Sequence, residues 1–315
     1  MDVSVVIVSY NTCRILDECI ASIKKETTVS YEVIVVDNAS RDDSCRMLRE
    51  KYPEVLLIEN NENAGFARAN NQGFAIARGK YFFMLNSDTV ILDRAIDKLV
   101  DFMEKNLDAG ICGPRNTGRD GEIQHNCDHF PSFWNSFCSY ANLMNRFPNV
   151  KMFRRSRLQY WDYGDTRDVE KIMGCSLLIR AELYKLLGGL DNNYFMYFEE
   201  ADLCFRTIRS GCRIVYVPSA LIIHYGGESS QMQTKRSVIS KTVYSYFLAS
   251  QYYFYRKNYG LFPMLAIRCL DLGYGLALLA KNMLRRDKPV REHRMAKGQA
   301  LCAGAVAGRV PVVRK

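Results

Sequence analysis

Short, nearly unbroken apolar runs alternate with longer amphipathic stretches through the first part of the chain. Residues 3–8, 32–36, 55–58 and 81–85 are each too short for a helix and read as buried strands. After the first of them, Ile15, Leu16, Cys19, Ile20 and Ile23 recur at the spacing of one helix face. Further helical stretches cover residues 42–51, stopped before Pro53, then 66–77 and 93–106. Asn60-Asn61-Glu62-Asn63-Ala64-Gly65 reads as a turn, because Asn and Gly tolerate left-handed backbone. This strand–helix rhythm predicts an α/β fold whose mainly parallel sheet is flanked by helices.

The pattern weakens beyond Gly113. Residues 115–167 are polar and aromatic without a clear period, and read largely as a long loop of the kind that carries function. Regularity returns with a strand at 172–180, a helix at 181–187 closed by Gly188-Gly189, a helix at 200–209 closed by Gly211, and strands at 213–217 and 220–224. The tail is different again. Residues 243–259 are dense in Tyr and Phe, and residues 261–284 are strongly apolar. Arg268 and Asp271 interrupt the apolar stretch, and Lys281, Arg285 and Arg286 close it. A spanning helix needs about 20 apolar residues and seldom tolerates a central arginine. An aromatic, basic-flanked helix lying in the membrane interface is therefore expected. The expected division is 1–230 for the α/β domain and 231–315 for a C-terminal helical, membrane-associating region.

Composition adds two constraints. The chain has eleven cysteines, an odd number, with no C-x-x-C spacing, which argues against a disulfide framework or a structural zinc site and favours a reducing compartment. Met1-Asp2 leads directly into a strand, without the basic start of a signal peptide, so a cytoplasmic location is expected. The net charge of +9 is unevenly spread. Residues 234–315 hold 16 Lys/Arg against 3 Asp/Glu, and the rest of the chain holds 27 against 31. The basic partner-facing part is thus the tail, and its partner is anionic. Aromatic and aliphatic residues dominate there, which suits an anionic membrane surface at the inner face of the cell membrane and not nucleic acid.

The candidate chemistry lies at strand ends. The run ending at Leu85 stops in Asn86-Ser87-Asp88, and the run ending at Val36 stops in Asp37-Asn38-Ala39-Ser40. Ligands of open α/β sheets bind at the carboxyl ends of the strands. Two aspartates delivered to one edge suit a metal ion and the phosphates it neutralises. Asp88 is the metal candidate, against the plainer reading of a cap on the next helix. His224 ends another strand before Gly226-Gly227, where backbone N–H groups can approach a phosphate. Glu199, Glu200 and Asp202 open a helix after the aromatic run Tyr194-Phe195-Met196-Tyr197-Phe198. The helix dipole accounts for one or two of these acids. The aromatic run can bury one carboxylate and raise its pKa, as a general base requires. His125 and His129 have helical spacing but lie in an irregular stretch, which argues against a metal role. No G-x-G-x-x-G follows a strand and no G-K-[ST] loop occurs.

These segments together resemble a known family. Val5-Val6-Ile7-Val8-Ser9-Tyr10-Asn11, Val35-Val36-Asp37-Asn38-Ala39-Ser40, Asn63-Ala64-Gly65-Phe66-Ala67-Arg68-Ala69-Asn70-Asn71-Gln72-Gly73 and Asn86-Ser87-Asp88 are similar to the inverting family-2 glycosyltransferases of GT-A fold. Gly188-Gly189-Leu190-Asp191, the Phe195–Cys204 stretch and His224-Tyr225-Gly226-Gly227-Glu228-Ser229 continue the resemblance, in the order of the rhamnosyltransferase-like branch. It covers residues 3–230. It implies a sugar nucleotide donor, with dTDP-L-rhamnose ahead of a UDP-hexose, and a polysaccharide or lipid-linked glycan acceptor. It implies donor binding by Ser9, Asn11, Asp37, Asn63, Gly65, Asn70, Asn86 and Ser87. Asp88 and His224 would hold Mg2+ or Mn2+ on the diphosphate. Glu200 would be the catalytic base, with Glu199 and Asp202 as its rivals. Two positions depart from the family pattern. Asn86 stands where an Asp is frequent, and Glu200 stands where relatives usually carry an Asp.

Overall fold

The computed structural model describes residues 1–147, 149–153, 158, 160–226 and 241–307. The Gly227-Glu228-Ser229 end of the His224 motif and the expected boundary at 230/231 lie outside these residues.

The first compact unit begins with β1 (Val3–Ser9), α1 (Cys13–Glu26), β2 (Tyr31–Asp37), α2 (Ser44–Lys51), β3 (Leu56–Glu59), α3 (Phe66–Ile76) and β4 (Tyr81–Asn86). β5 (Thr89–Leu92), α4 (Ala95–Lys105), β6 (Ala109–Thr117), β7 (Ile123–Gln124) and β8 (Cys127–Asp128) follow. The sheet order is β3-β2-β1-β4, then β11 (Ser176–Arg180), β6, β12 (Arg213–His224) and β5. β3, β2, β1 and β4 run parallel, so Ser9, Asp37 and Asn86 end on the same edge. Beyond β4 the sheet is mixed: β11 runs antiparallel to β4 and β6, and β12 is parallel to β6 but antiparallel to β5. Short pairings add β7 to β6 and β9 (Arg167–Asp168) to β12, and join β10 (Lys171–Ile172) to β8.

One face of the sheet meets α1 and α4 through Val5, Ile7, Val33, Val35, Phe83, Leu16, Ile20, Leu99 and Met103, all buried. The other face carries α3, which lies close because residue 73 is glycine. A Cβ there would sit 2.5 Å from Val6 Cγ1. The segment read as a long loop contains the end of β6, the short strands β7 and β8, and the helices α5 (Phe133–Tyr140) and α6 (Leu143–Arg146). The single strand expected at 172–180 is interrupted at Met173–Cys175, and the two strands expected at 213–217 and 220–224 are one strand with a register shift between Val217 and Leu221. α7 (Ala181–Leu186) and α8 (Glu199–Arg209) lie where helices were expected.

The second compact unit comprises the described parts of Pro131–Arg154, Asn193–Phe198 and Met232–Lys315. It takes two stretches of the earlier chain as well as the tail. Its main helices are α9 (Lys241–Asn258), α10 (Leu261–Asn282) and α11 (Lys288–Val306). α10 and α11 approach closely at small residues: a Cβ on Gly298 would lie 2.9 Å from the Gly275 carbonyl oxygen. Asp271, buried in the middle of α10, accepts from Tyr140 Oη (2.6 Å), Tyr252 Oη (2.9 Å) and Gln251 Nε2 (3.0 Å). The acid that interrupts the apolar run is therefore a satisfied internal joint between α5, α9 and α10. α10 alone among the described helices is long and apolar enough to cross a membrane, by length and composition only.

Candidate active site

Short local bonds shape the carboxyl edge of the parallel strands. The Ser9 hydroxyl lies 3.0 Å from Thr12 Oγ1, and the Ser9 carbonyl accepts from Asn38 N. Asn11 adopts φ 54°, a conformation Asn tolerates. It is held there by Asn11 N donating to Ser40 Oγ (2.8 Å) and Asn11 Oδ1 accepting from Arg41 N (2.7 Å). Asp37 is buried and its Oδ2 accepts from Ser40 N at 2.8 Å. The Asn63 side chain accepts from Gly65 N at 3.0 Å, shaping the turn before α3. Asn70, on α3, donates to Phe66 O at 2.9 Å.

Asn86 ends β4, and its carbonyl accepts from Thr89 Oγ1 at 2.7 Å. Asp88 caps no helix: it leads straight into β5, whose Thr89 pairs with His224. Tyr225 N donates to the Asp88 carbonyl at 2.8 Å, so two elements far apart in sequence are tied at this point. The Asp88 side chain is fully buried, and its Oδ1 lies 3.4 Å from His224 Nε2. Among the described residues, apart from that contact, neither Asp88 oxygen has a partner, and neither has His224 Nε2 as a hydrogen-bonding atom. Ser87 Oγ, Asn70 Oδ1 and Glu199 Oε2 are likewise buried without a hydrogen-bond partner. Each such atom costs about 1–3 kcal/mol, more where charged. A native fold that leaves several of them at one sheet edge is shaped for something that satisfies them.

The three acids of α8 differ sharply. Asp202 is wholly buried and paired with Arg206 Nε at 2.8 Å. Arg206 also donates to the Leu187 and Gly189 carbonyls, so this pair ties α8 to the loop after α7. Glu199 is buried, and burial followed by the neighbouring Glu200 charge pushes its carboxyl well above the usual range. Glu200 keeps 14% of its side chain exposed and lies 3.8 Å from Lys171 Nζ. The backbone entering α8 is strained: Tyr197 and Phe198 have φ of 71° and 68°. Two bulky residues in that region cost on the order of 1–3 kcal/mol each, a cost concentrated just before the acids.

Away from this edge, His129 Nδ1 contacts Glu170 Oε1 at 2.8 Å and His125 lies edge-on to Tyr163. Among the described residues no group of three or more His, Cys, Asp or Glu could hold a metal by itself. Gln124, which no motif marks, contacts His224 through both ends of its amide. Only the ladder β7-β6-β12 brings it there.

The model for Glycosyl transferase family 2 matches residues 4–166, just over half of the chain. An N-acetylglucosaminyl-diphospho-decaprenol L-rhamnosyltransferase of Mycobacterium tuberculosis is 28% identical over 239 residues, 72% of this chain and 76% of that protein. The glycosyltransferase GlyG of Streptococcus pneumoniae is 33% identical over 113 residues, 35% of this chain and 38% of its own length. Among solved structures, a mannosyltransferase of Pyrobaculum calidifontis in complex with GDP-Man and Mn2+ has a TM-score of 0.57 at 16% identity, covering 96% of this chain and 86% of that one. GalNAc-T7 with UDP, GalNAc and Mn2+ gives 0.56 at 16% identity, over 81% of this chain and 50% of its own. These structural likenesses carry the fold, which is GT-A.

Proposed function

Because the chain belongs to glycosyl transferase family 2, we propose that it moves L-rhamnose from dTDP-L-rhamnose to a lipid-linked glycan acceptor, with inversion at the anomeric carbon. The observation that carries this reading is the buried Asp88–His224 pair with its unsatisfied oxygens at the donor edge. The activity of the mycobacterial relative supports the choice of sugar and acceptor.

Asp88 and His224 suit a divalent cation, Mg2+ or Mn2+. Two ligand atoms of one octahedral ion stand about 3 Å apart when the bonds are about 2.1 Å, and these stand 3.4 Å apart. Two protein ligands leave the remaining positions to water and diphosphate. When bound, such an ion neutralises charge on the departing nucleoside diphosphate.

The chain's own residues do the rest. Asp37, paired with Ser9 across β1 and β2, would contact the donor's base or ribose. Glu200 takes the proton of the acceptor hydroxyl as that oxygen bonds to the anomeric carbon and the carbon–phosphate-oxygen bond breaks. Its partial exposure leaves it open to an acceptor, and Lys171 Nζ lies 3.8 Å away. Glu199, whose carboxyl burial and the Glu200 charge push above the usual range, is the less suited of the two to hold a negative charge. Asp202 is committed to Arg206 and serves α8.

A screen of sugar nucleotides with Mn2+ tests the donor. At a hundredfold excess over Kd a ligand stabilises by about 2.7 kcal/mol, on the order of 5 °C in Tm for a chain of this size. dTDP-L-rhamnose should give the largest shift and the only turnover. A larger shift and turnover with a UDP-hexose would replace the rhamnose assignment.

A lipid-linked acceptor requires the enzyme at the bilayer. Phe262 and Leu284 at the ends of α10 are 82% and 89% exposed, and Arg285 and Arg286 follow. α5, stacked on α10 through Tyr140 and Tyr274 at 4.1 Å, exposes Phe133, Trp134 and Phe137. Aromatic and basic residues of this kind favour the interface of an anionic leaflet, each basic residue contributing about 1 kcal/mol. The full chain should sediment with phosphatidylglycerol vesicles and be released by salt. A Phe262→Asp/Leu284→Asp double variant should bind at least about tenfold more weakly, since each buried side chain is worth about 1.5–3 kcal/mol. A full chain that ignores such vesicles would make these faces protein-binding surfaces and remove the main support for a lipid-linked acceptor.

A further inference from the structure

Gln124, the last residue of β7, holds His224 at two points. Its Nε2 donates to the His224 carbonyl oxygen at 2.6 Å, and its Oε1 lies 2.9 Å from the ring Nδ1. The first contact orients the amide. A backbone carbonyl only accepts, so the amide nitrogen must face it, and the amide oxygen is left facing the ring. That oxygen also only accepts, so Nδ1 must carry a proton. In the neutral imidazole the lone pair then belongs to Nε2. This is the buried atom 3.4 Å from Asp88 Oδ1 that has no hydrogen-bond partner.

We infer that Gln124 is a positioning residue, which fixes the Nδ1–H tautomer of His224 and aims its Nε2 lone pair at the place beside Asp88 where a divalent cation binds. The inference rests on the metal reading of Asp88 and His224 given above. The hydrogen bond at one ring nitrogen decides what the other nitrogen can do. A ligand histidine held in this way also keeps its ring orientation before the metal arrives. The amide suits the task better than a carboxylate, which has no donor for the His224 carbonyl. The sheet supplies the geometry: Gln124 pairs with Asn116 on one side of β6, and Ile222, just before His224, pairs with Asn116 on the other. The clamp thus joins residues 100 positions apart.

Two measurements test it. The first is 15N NMR of the metal-free wild-type protein at mildly alkaline pH, with the His224 signals assigned by their loss in His224→Gln. The proton should be on Nδ1, and a wild-type ring protonated on Nε2 overturns the proposal without any variant. The second is Mn2+ binding in the presence of dTDP, followed by the EPR signal of free Mn2+, for wild type and Gln124→Met. Methionine keeps the length of glutamine and offers neither amide atom. The variant should lose the Nδ1–H preference and bind Mn2+ 10–100-fold more weakly. Affinity within threefold of wild type, with the tautomer unchanged, overturns the proposal. Failure of the metal reading looks different: wild type would bind no Mn2+ while its Nδ1–H tautomer still depended on Gln124.

Discussion

Asp88→Asn should be folded, at least as heat-stable as wild type, and slower in turnover by about a thousandfold or more. These effects point in opposite directions because of how the fold treats this side chain. Neither Asp88 oxygen is hydrogen-bonded among the described residues, and the residue is fully buried. Asn therefore breaks none of the described hydrogen bonds, and it takes an acid out of a buried site where it contacts His224 at 3.4 Å. What is lost is the anionic ligand at the donor edge. Wild type treated with EDTA should fall to a similar rate, and Mn2+ should restore the wild type but not the variant. Steady-state turnover and a thermal melt on the same samples decide the matter. Turnover within tenfold of wild type would end the metal role of Asp88. A large loss of Tm would make it a structural acid instead.

The second large effect belongs to α8. Glu200→Gln should lower kcat by about a hundredfold to ten-thousandfold while leaving the donor-induced rise in Tm intact, since only the proton acceptor is removed. Glu199→Gln is the informative companion. Glu199 has a folded-state pKa raised by burial, with the Glu200 charge second, so the native state holds its proton more tightly than the unfolded chain does. An acid of this kind costs no stability below its unfolded pKa, near 4.5, and costs increasingly more as pH climbs from there toward the folded value. Gln cannot ionise, so Glu199→Gln should lose less Tm than wild type as pH rises above about 4.5. Its kcat should stay within tenfold of wild type. If instead Glu199→Gln is the dead variant and Glu200→Gln turns over normally, the base lies one residue earlier.

The strands that deliver the donor edge were legible because they are continuous apolar runs ending in polar residues. Val5, Ile7, Val33, Val35, Phe83 and Leu85 are buried in the core, and the acids that follow them lie where the parallel register puts them. β6 was not legible. Gly110, Gly113 and Pro114 lie inside it, and they read as turn residues until a central place in the sheet overrides them. β12 looked like two strands because Pro218-Ser219 falls within it, at the register shift that lets one strand carry both halves. Glu199, Glu200 and Asp202 were visible as a cluster, but three acids in one helical turn look alike in sequence. Only burial and the Arg206 pair separate them. The clamp from Gln124 had no local signal, because it depends on pairing across β6.

The discontinuity of the second compact unit bears on how such enzymes can be recombined. A chimera that joins the first part of this chain to the tail of a relative would naturally be cut once, after the last strand. Yet Phe198 packs on Phe247 and Phe254 at ring distances of 5.2 and 5.8 Å, and Ser250 donates to the Met196 carbonyl. Tyr140 likewise depends on Asp271. A foreign tail would meet Pro131–Arg154 and Asn193–Phe198 shaped for α9 and α10. The second of these stretches runs directly into Glu199. The helical unit can thus be exchanged between homologues only as three pieces of chain moved together. Descent with one crossover would favour inheritance of the whole enzyme as a block.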